Sequence, residues 1–139
     1  MDAVTGADSR RADVLAFFER YAVLYMAGDA QAVADIYEAP FLAVRGGTPI
    51  HLADRDAVVE HLSGLMVAYR NSGATSAEVA SVKVVEQGDS ALLATVHWVI
   101  RTADGGVVRD FRTSYQLVRR DPWQILSYVN HDTTAGSKR

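Results

Sequence analysis

The chain has 139 residues, 49% of them hydrophobic and 22% charged, with a net charge of −3. That balance fits one globular domain able to bury about two-thirds of its unfolded surface, and it argues against a disordered chain or a basic, nucleic-acid-coating one. Cysteine is absent, which excludes disulfides, thiolate nucleophiles and cysteine-based metal sites; no apolar run approaches the ~20 residues of a membrane span, and residues 1–13 lack the order of a signal peptide, so the expected location is the cytoplasm.

Residues 1–8 read as a loose lead-in and 133–139 as a loose tail, with 9–132 as the folded unit. Asp8 or Ser9 can cap a first helix, in which Val14, Phe17, Phe18, Tyr21, Leu24 and Tyr25 recur with the helical period. Gly28 supplies a left-handed stop, since it has no Cβ to clash there, and Asp29 can cap a short second helix. That helix carries Ala32, Val33, Ile36 and Tyr37 on one side and ends at Pro40. Phe41 to Val44 reads as a strand, and Arg45 to Pro49 as a turn. A third helix follows Asp54, with Val58, Leu62, Leu65, Met66 and Tyr69 as its buried stripe, and stops at Asn71-Ser-Gly73.

From Ser76 the period changes to two. Turn signals at Gly88-Asp89, Asp104-Gly105 and Asp121-Pro122 divide the remainder into four strands, so the class is α+β with three N-terminal helices and an antiparallel meander. A two-residue turn at Asp104-Gly105 sets Trp98 opposite Phe111 and His97 opposite Arg112. One face then carries Leu92, Ala94, Val96, Trp98 and Ile100 with Phe111, Thr113, Tyr115 and Leu117, and is the apolar, helix-covered one. The other carries Thr95, His97, Val99 and Arg101 with Asp110, Arg112, Ser114 and Gln116. A two-residue turn at Asp121-Pro122 adds Leu126, Tyr128 and Asn130 to the apolar face. A longer turn exchanges them for Ile125, Ser127, Val129 and His131.

Tyr21, Tyr25, Trp98, Tyr115 and Tyr128 are bulky side chains with polar tips. Turned inward with Phe111, Thr113 and Asn130, they form what a ligand pocket requires, an apolar wall with a few orienting groups. Each one taken singly is also an ordinary core residue with a satisfied hydroxyl.

Arg20-Tyr21, Ala27-Gly28-Asp29 and the closing run from Thr113 to Asp132 (TSYQLVRRDPWQILSYVNHD) together resemble the nuclear-transport-factor-2-like (NTF2-like) superfamily, most closely its SnoaL-like and ketosteroid-isomerase-like members. The resemblance covers Val14 to Asp132. It implies a cone in which a strongly curved sheet wraps three helices, a pocket for a hydrophobic, ring-containing small molecule, and a homodimer. It implies no cofactor. Isomerases, cyclases and dehydratases are the enzymes it brings to mind. Tyr21 matches the position of the isomerases' tyrosine donor to the enolate oxygen. The position of their proton-shuttling aspartate falls on Arg45, and that of their second oxyanion donor near Thr113 or Ser114. A guanidinium cannot act as a general base, so ketosteroid-isomerase chemistry is not expected.

The histidines His51, His61, His97 and His131 show no metal-binding spacing. His61 reads as a boundary residue of the third helix and His51 as a loop residue. His97, Asp110 and Arg112 can meet across the meander as an acid, a base and a cation, and His131 stands at the end of the last strand. With Tyr21, His97, Asp110 and His131 are the catalytic candidates; as the bland alternative Tyr21 is a core residue, His97 and Asp110 belong with Arg112 to a polar outer face, and His131 is an exposed strand-end histidine. The alternative function is a structural protein whose cone is filled by its own side chains and whose sheet face makes a homodimer. Nucleic acid and membrane are not expected partners.

Overall fold

Capping chemistry sets most helix boundaries. The computed structural model describes residues 2–131, with side chains from Ser9 onward. Helix α1 runs Asp2–Met26, α2 Ala30–Ala34 and α3 Arg55–Asn71. Asp29 accepts the Ala32 amide at 3.0 Å and Asp54 the Ala57 amide at 2.9 Å, each satisfying a donor that a helix start leaves open. Gly28 at φ +76° and Gly73 at φ +85° take the left-handed turns that follow α1 and α3.

Two expectations change here. Helix α1 begins at Asp2, ahead of the cap expected at Asp8 or Ser9, so the expected lead-in is helical. A cap-type residue permits a helix start without enforcing one, and Gly6 inside the helix costs only about 1 kcal/mol. Helix α2 ends at Ala34, and Tyr37 opens a strand instead of closing the helix. The tail expected at 133–139 lies outside the described residues.

The strands are β1 (Tyr37–Arg45), β2 (Thr48–Leu52), β3 (Ala74–Gln87), β4 (Ala91–Thr102), β5 (Val107–Arg119) and β6 (Trp123–His131). They form one curved, open sheet in the order β2-β1-β6-β5-β4-β3. The meander β3–β6 is antiparallel, as expected, but the whole sheet is mixed, because β1 runs parallel to β6. Strand β2 occupies what reads in sequence as a turn. Only Gly46 and Gly47, both at positive φ, make the β1–β2 bend. Pro49 fits because β2 is an edge strand, and Pro40 because it lies where the β1–β6 register shifts.

In the β4–β5 ladder Trp98 pairs with Phe111 and His97 with Arg112, as expected, but the turn is not the two-residue one: Thr102 meets Gly106, and a one-residue shift between Ile100 and Arg101 restores the register. The β5–β6 ladder combines both anticipated registers. Tyr115 pairs with Tyr128 and Thr113 with Asn130, then the register shifts at Leu126 so that Leu117 meets Ile125. The extra residue puts Tyr128, Asn130 and Ile125 on one face. That face, with Val14 and Phe18 of α1 and Val58 and Leu62 of α3, forms the core.

Candidate functional site

Phenols converge inside the curve of the sheet. The cavity there is lined by Tyr21, Ala22 and Tyr25 of α1, Tyr37 and Arg45 of β1, Leu65 and Tyr69 of α3, and Ala77, Trp98, Ile100, Phe111, Thr113, Tyr115, Tyr128 and Asn130 of the sheet. Its volume is about 50 Å³. That is room for a few waters, below the roughly 150 Å³ of a cavity that takes up benzene and well below the 300–1,000 Å³ of a drug-sized ligand site, so a ring compound needs the side chains at the open mouth to give way.

The deep polar tips are satisfied by one another. Tyr21 and Tyr37 share a hydroxyl hydrogen bond of 2.7 Å, and the Trp98 indole N–H donates to the Tyr115 hydroxyl at 2.9 Å. Burial, reinforced by the neighbouring phenols, raises the pKa of Tyr21 and Tyr37 well above that of a free tyrosine, so both are neutral. Burial likewise pushes Tyr25 and Tyr115 up. Thr113, among the described residues the one buried polar residue outside the aromatic set, donates to Asn130 Oδ1 at 2.8 Å. That contact leaves the Asn130 amide nitrogen available toward the cavity.

The mouth is organised by Arg45. Phe41, Ala43 and Arg45 alternate onto the inner face of β1, and Arg45 stands beside Asn130 in the β1–β6 ladder. Its guanidinium donates to the Tyr128 hydroxyl at 3.3 Å, and Tyr128 lies 2.7 Å from His61 Nε2. A guanidinium has no acceptor, so the Tyr128 oxygen accepts from Arg45. The direction of the Tyr128–His61 bond follows the His61 tautomer, and a neutral imidazole can play either part. The surroundings favour the neutral state: burial, and after it the charge of Arg45, lowers the His61 pKa. On the same side Arg109 donates to the Tyr69 hydroxyl at 2.9 Å, with its guanidinium 3.9 Å from the centre of the Phe111 ring.

The four catalytic candidates do not meet. Tyr21 lines the cavity, whereas His97, Asp110 and His131 lie on the opposite face of the sheet. There His97 Nε2 donates to Asp110 Oδ1 at 2.7 Å, Arg112 donates to His97 Nδ1 at 3.5 Å, and Ser114 bonds both Thr95 (2.8 Å) and His131 (3.0 Å). Pocket candidates Tyr25, Trp98, Phe111, Thr113, Tyr115, Tyr128 and Asn130 all line the cavity with Tyr21. His51 is exposed on β2. Sequence reasoning missed Tyr37, Arg45, His61 and Tyr69 as lining or edging this cavity, although the resemblance had set Arg45 at the position of the isomerases' aspartate. The alternation Phe41-x-Ala43-x-Arg45 was a signal for the second of these, and the helical spacing of Leu62, Leu65 and Tyr69 for the last.

A family model described as NTF2-like protein (DUF6841) matches residues 11–133. Among solved structures, the chain is similar to an NTF2-like protein with a cystatin-like fold from Novosphingobium aromaticivorans, at 20% identity and a TM-score of 0.71 over 93% of this chain and 85% of that one. It is similar to Aln2 from a Streptomyces species, at 19% identity and a TM-score of 0.73 over 94% and 95% of the two chains. A protein from Catenulispora acidiphila, solved in complex with S-DNPA, shares 18% identity with a TM-score of 0.71 over 93% of this chain and 98% of that one. At these identities the likeness concerns the fold. No curated protein matches the chain.

Proposed function

We infer a binding function for this chain, which belongs to the NTF2-like protein (DUF6841) family: its cone takes up a small molecule built on a single apolar ring. The observation that carries this reading is the inner cavity, walled by aromatic rings and edged by the polar tips of Arg45, Tyr69 and Asn130. The neighbour solved with S-DNPA is consistent with a ligand-holding role for the fold. Residues 9–132 are the unit to which we assign the function, in the manner of a SnoaL-like protein. An isomerase, cyclase or dehydratase would use Tyr21 as its donor. That hydroxyl is already shared with Tyr37, and no carboxylate is among the described residues lining the cavity, so binding is the reading we state.

Size decides the test. Calorimetric titration of the full chain with benzyl alcohol should give saturable binding, while 2-naphthol should bind more weakly, because a fused ring requires the mouth to give way further. Ala77→Leu, which projects into the cavity, should abolish the benzyl alcohol signal while the chain stays folded. Absence of binding by either compound would overturn the proposal.

The small volume also favours a second reading, in which the aromatic side chains simply fill the cone and the sheet's outer face joins two copies. In that case Ala77→Leu overpacks a full core and costs about 1–3 kcal/mol, and no ring compound raises the melting temperature.

A further inference from the structure

We propose that the ring compound held in the cone is a carboxylate, with its carboxyl group seated between Arg45 and Asn130. This rests on the cone being a binding site, as inferred above, and adds the charge of what it binds.

Arg45 is the carrying observation. Its guanidinium is half-buried at the cavity edge, and its hydrogen bond, to Tyr128, is at the long end of the range at 3.3 Å. The ion pairs Arg10–Glu86, Arg55–Asp35, Arg101–Glu78 and Arg120–Glu38 all lie elsewhere, and among the described residues Arg45 has no carboxylate partner. Withdrawing a cation from water without a counter-charge is costly, so a site that does it is suited to receive an anion. Tyr128 uses one of the guanidinium's five N–H donors, and the rest include a fork matched to a carboxylate.

The neighbours point the same way. Asn130 stands beside Arg45 in the ladder, and because its Oδ1 is occupied by Thr113, its amide N–H groups are what it can offer a ligand. Tyr25 and Tyr69, at the same opening, carry phenol hydroxyls able to donate. Arg109 adds a second positive charge behind Tyr69. His61 is already engaged by its hydrogen bond with Tyr128. The mouth is therefore a set of donors with two cations and no anion among the described lining residues, over an apolar, aromatic wall. A carboxylate brings only acceptors and one negative charge, which complements that set.

The test compares isosteres. The full chain is titrated with benzoate, benzamide and acetate, and the series is repeated with Arg45→Gln and Arg45→Lys; circular dichroism and melting confirm that each variant is folded. We expect benzoate to bind about tenfold or more tightly than benzamide, and acetate far more weakly than benzoate. Arg45→Gln should remove the preference, so that benzoate and benzamide bind this variant alike, and Arg45→Lys should keep part of it. Equal binding of benzoate and benzamide, or a preference that survives Arg45→Gln, would overturn the anion proposal and leave the ring site standing. Acetate binding as well as benzoate would overturn the ring part. If neither benzoate nor benzamide binds, the binding function and this proposal fall together.

Discussion

At the scale of single residues, the relay from Arg45 through Tyr128 to His61 has a pH signature. His61 has its pKa lowered in the fold, foremost by burial and then by Arg45. The unfolded chain, with an ordinary histidine near 6.5, therefore binds protons before the folded one does. Stability is full above that value and is lost as the pH falls toward the lowered pKa of the folded state. Melting curves between pH 7.5 and 5 should show the wild-type chain losing stability on acidification. His61→Gln, which keeps a hydrogen-bond partner for Tyr128 but does not titrate, should lose less. Parallel curves for the two proteins would contradict the protonation state given to His61.

Thr113 makes a complementary residue-scale case, because its hydroxyl is buried and donates to Asn130. Thr113→Val removes that donor and leaves the Asn130 oxygen short of a partner, which costs about 1–3 kcal/mol in denaturant unfolding. Since the Asn130 side chain is then free to turn, affinity for ring compounds should fall along with stability. A fall in stability with affinity unchanged would mean that Asn130 does not orient the ligand.

At the scale of elements, the joint between α1 and α2 holds Tyr21 and Tyr25 in place. Gly28 there sits at φ +76°, and a Cβ added to it would lie 3.2 Å from the tip of Arg70. The flexible Arg70 can move aside, but the backbone conformation remains costly for any other residue. Gly28→Ala should destabilise by about 1–2 kcal/mol, read as a lower denaturant midpoint at unchanged slope. A neutral result would mean that α1 ends without needing the left-handed turn.

Legibility from sequence differs among elements for physical reasons. The β4–β5 register matches the one expected from a two-residue turn at Asp104-Gly105, but the turn is longer: Thr102 meets Gly106, and the one-residue shift between Ile100 and Arg101 restores the pairing from Ile100–Arg109 onward. The β5–β6 register was not readable, because the shift at Leu126 lets two alternations coexist in one strand. Strand β2 was hidden by Gly46, Gly47 and Pro49, whose turn chemistry is real but occupies only the two glycines. Losing β2 also hid Arg45, which looked like the first residue of a loop when it is the last inward position of a strand. Tyr37 was lost in the same way, since a helical period continues past the point where Ala34 ends α2. The eight aromatic and polar side chains assigned to the pocket share one cavity because they follow period two on the meander and the helical period on α1, the patterns that sequence carries best.

At the scale of the whole molecule, the two faces of the sheet are chemically distinct. The inner one is aromatic and closed by helices; the outer one carries His97, Asp110, Arg112, Ser114 and His131 in a cross-strand network. Two copies meeting through this outer face is the homodimer that we propose for the molecule. Arg112→Glu would place a carboxylate beside Asp110 at that face and should shift sedimentation toward the monomer. Unchanged sedimentation would argue against the face. The same variant should leave benzyl alcohol binding intact, because the sheet separates it from the cone.

Amide shifts in a two-dimensional NMR spectrum of the full chain, followed during titration with benzyl alcohol, give the most direct reading of the central claim. Binding in the cone predicts saturable shifts gathered at Tyr25, Arg45, Tyr69 and Asn130, and their loss in Ala77→Leu. A spectrum that does not change, or shifts gathered around His97 and Arg112 on the outer face, would contradict it.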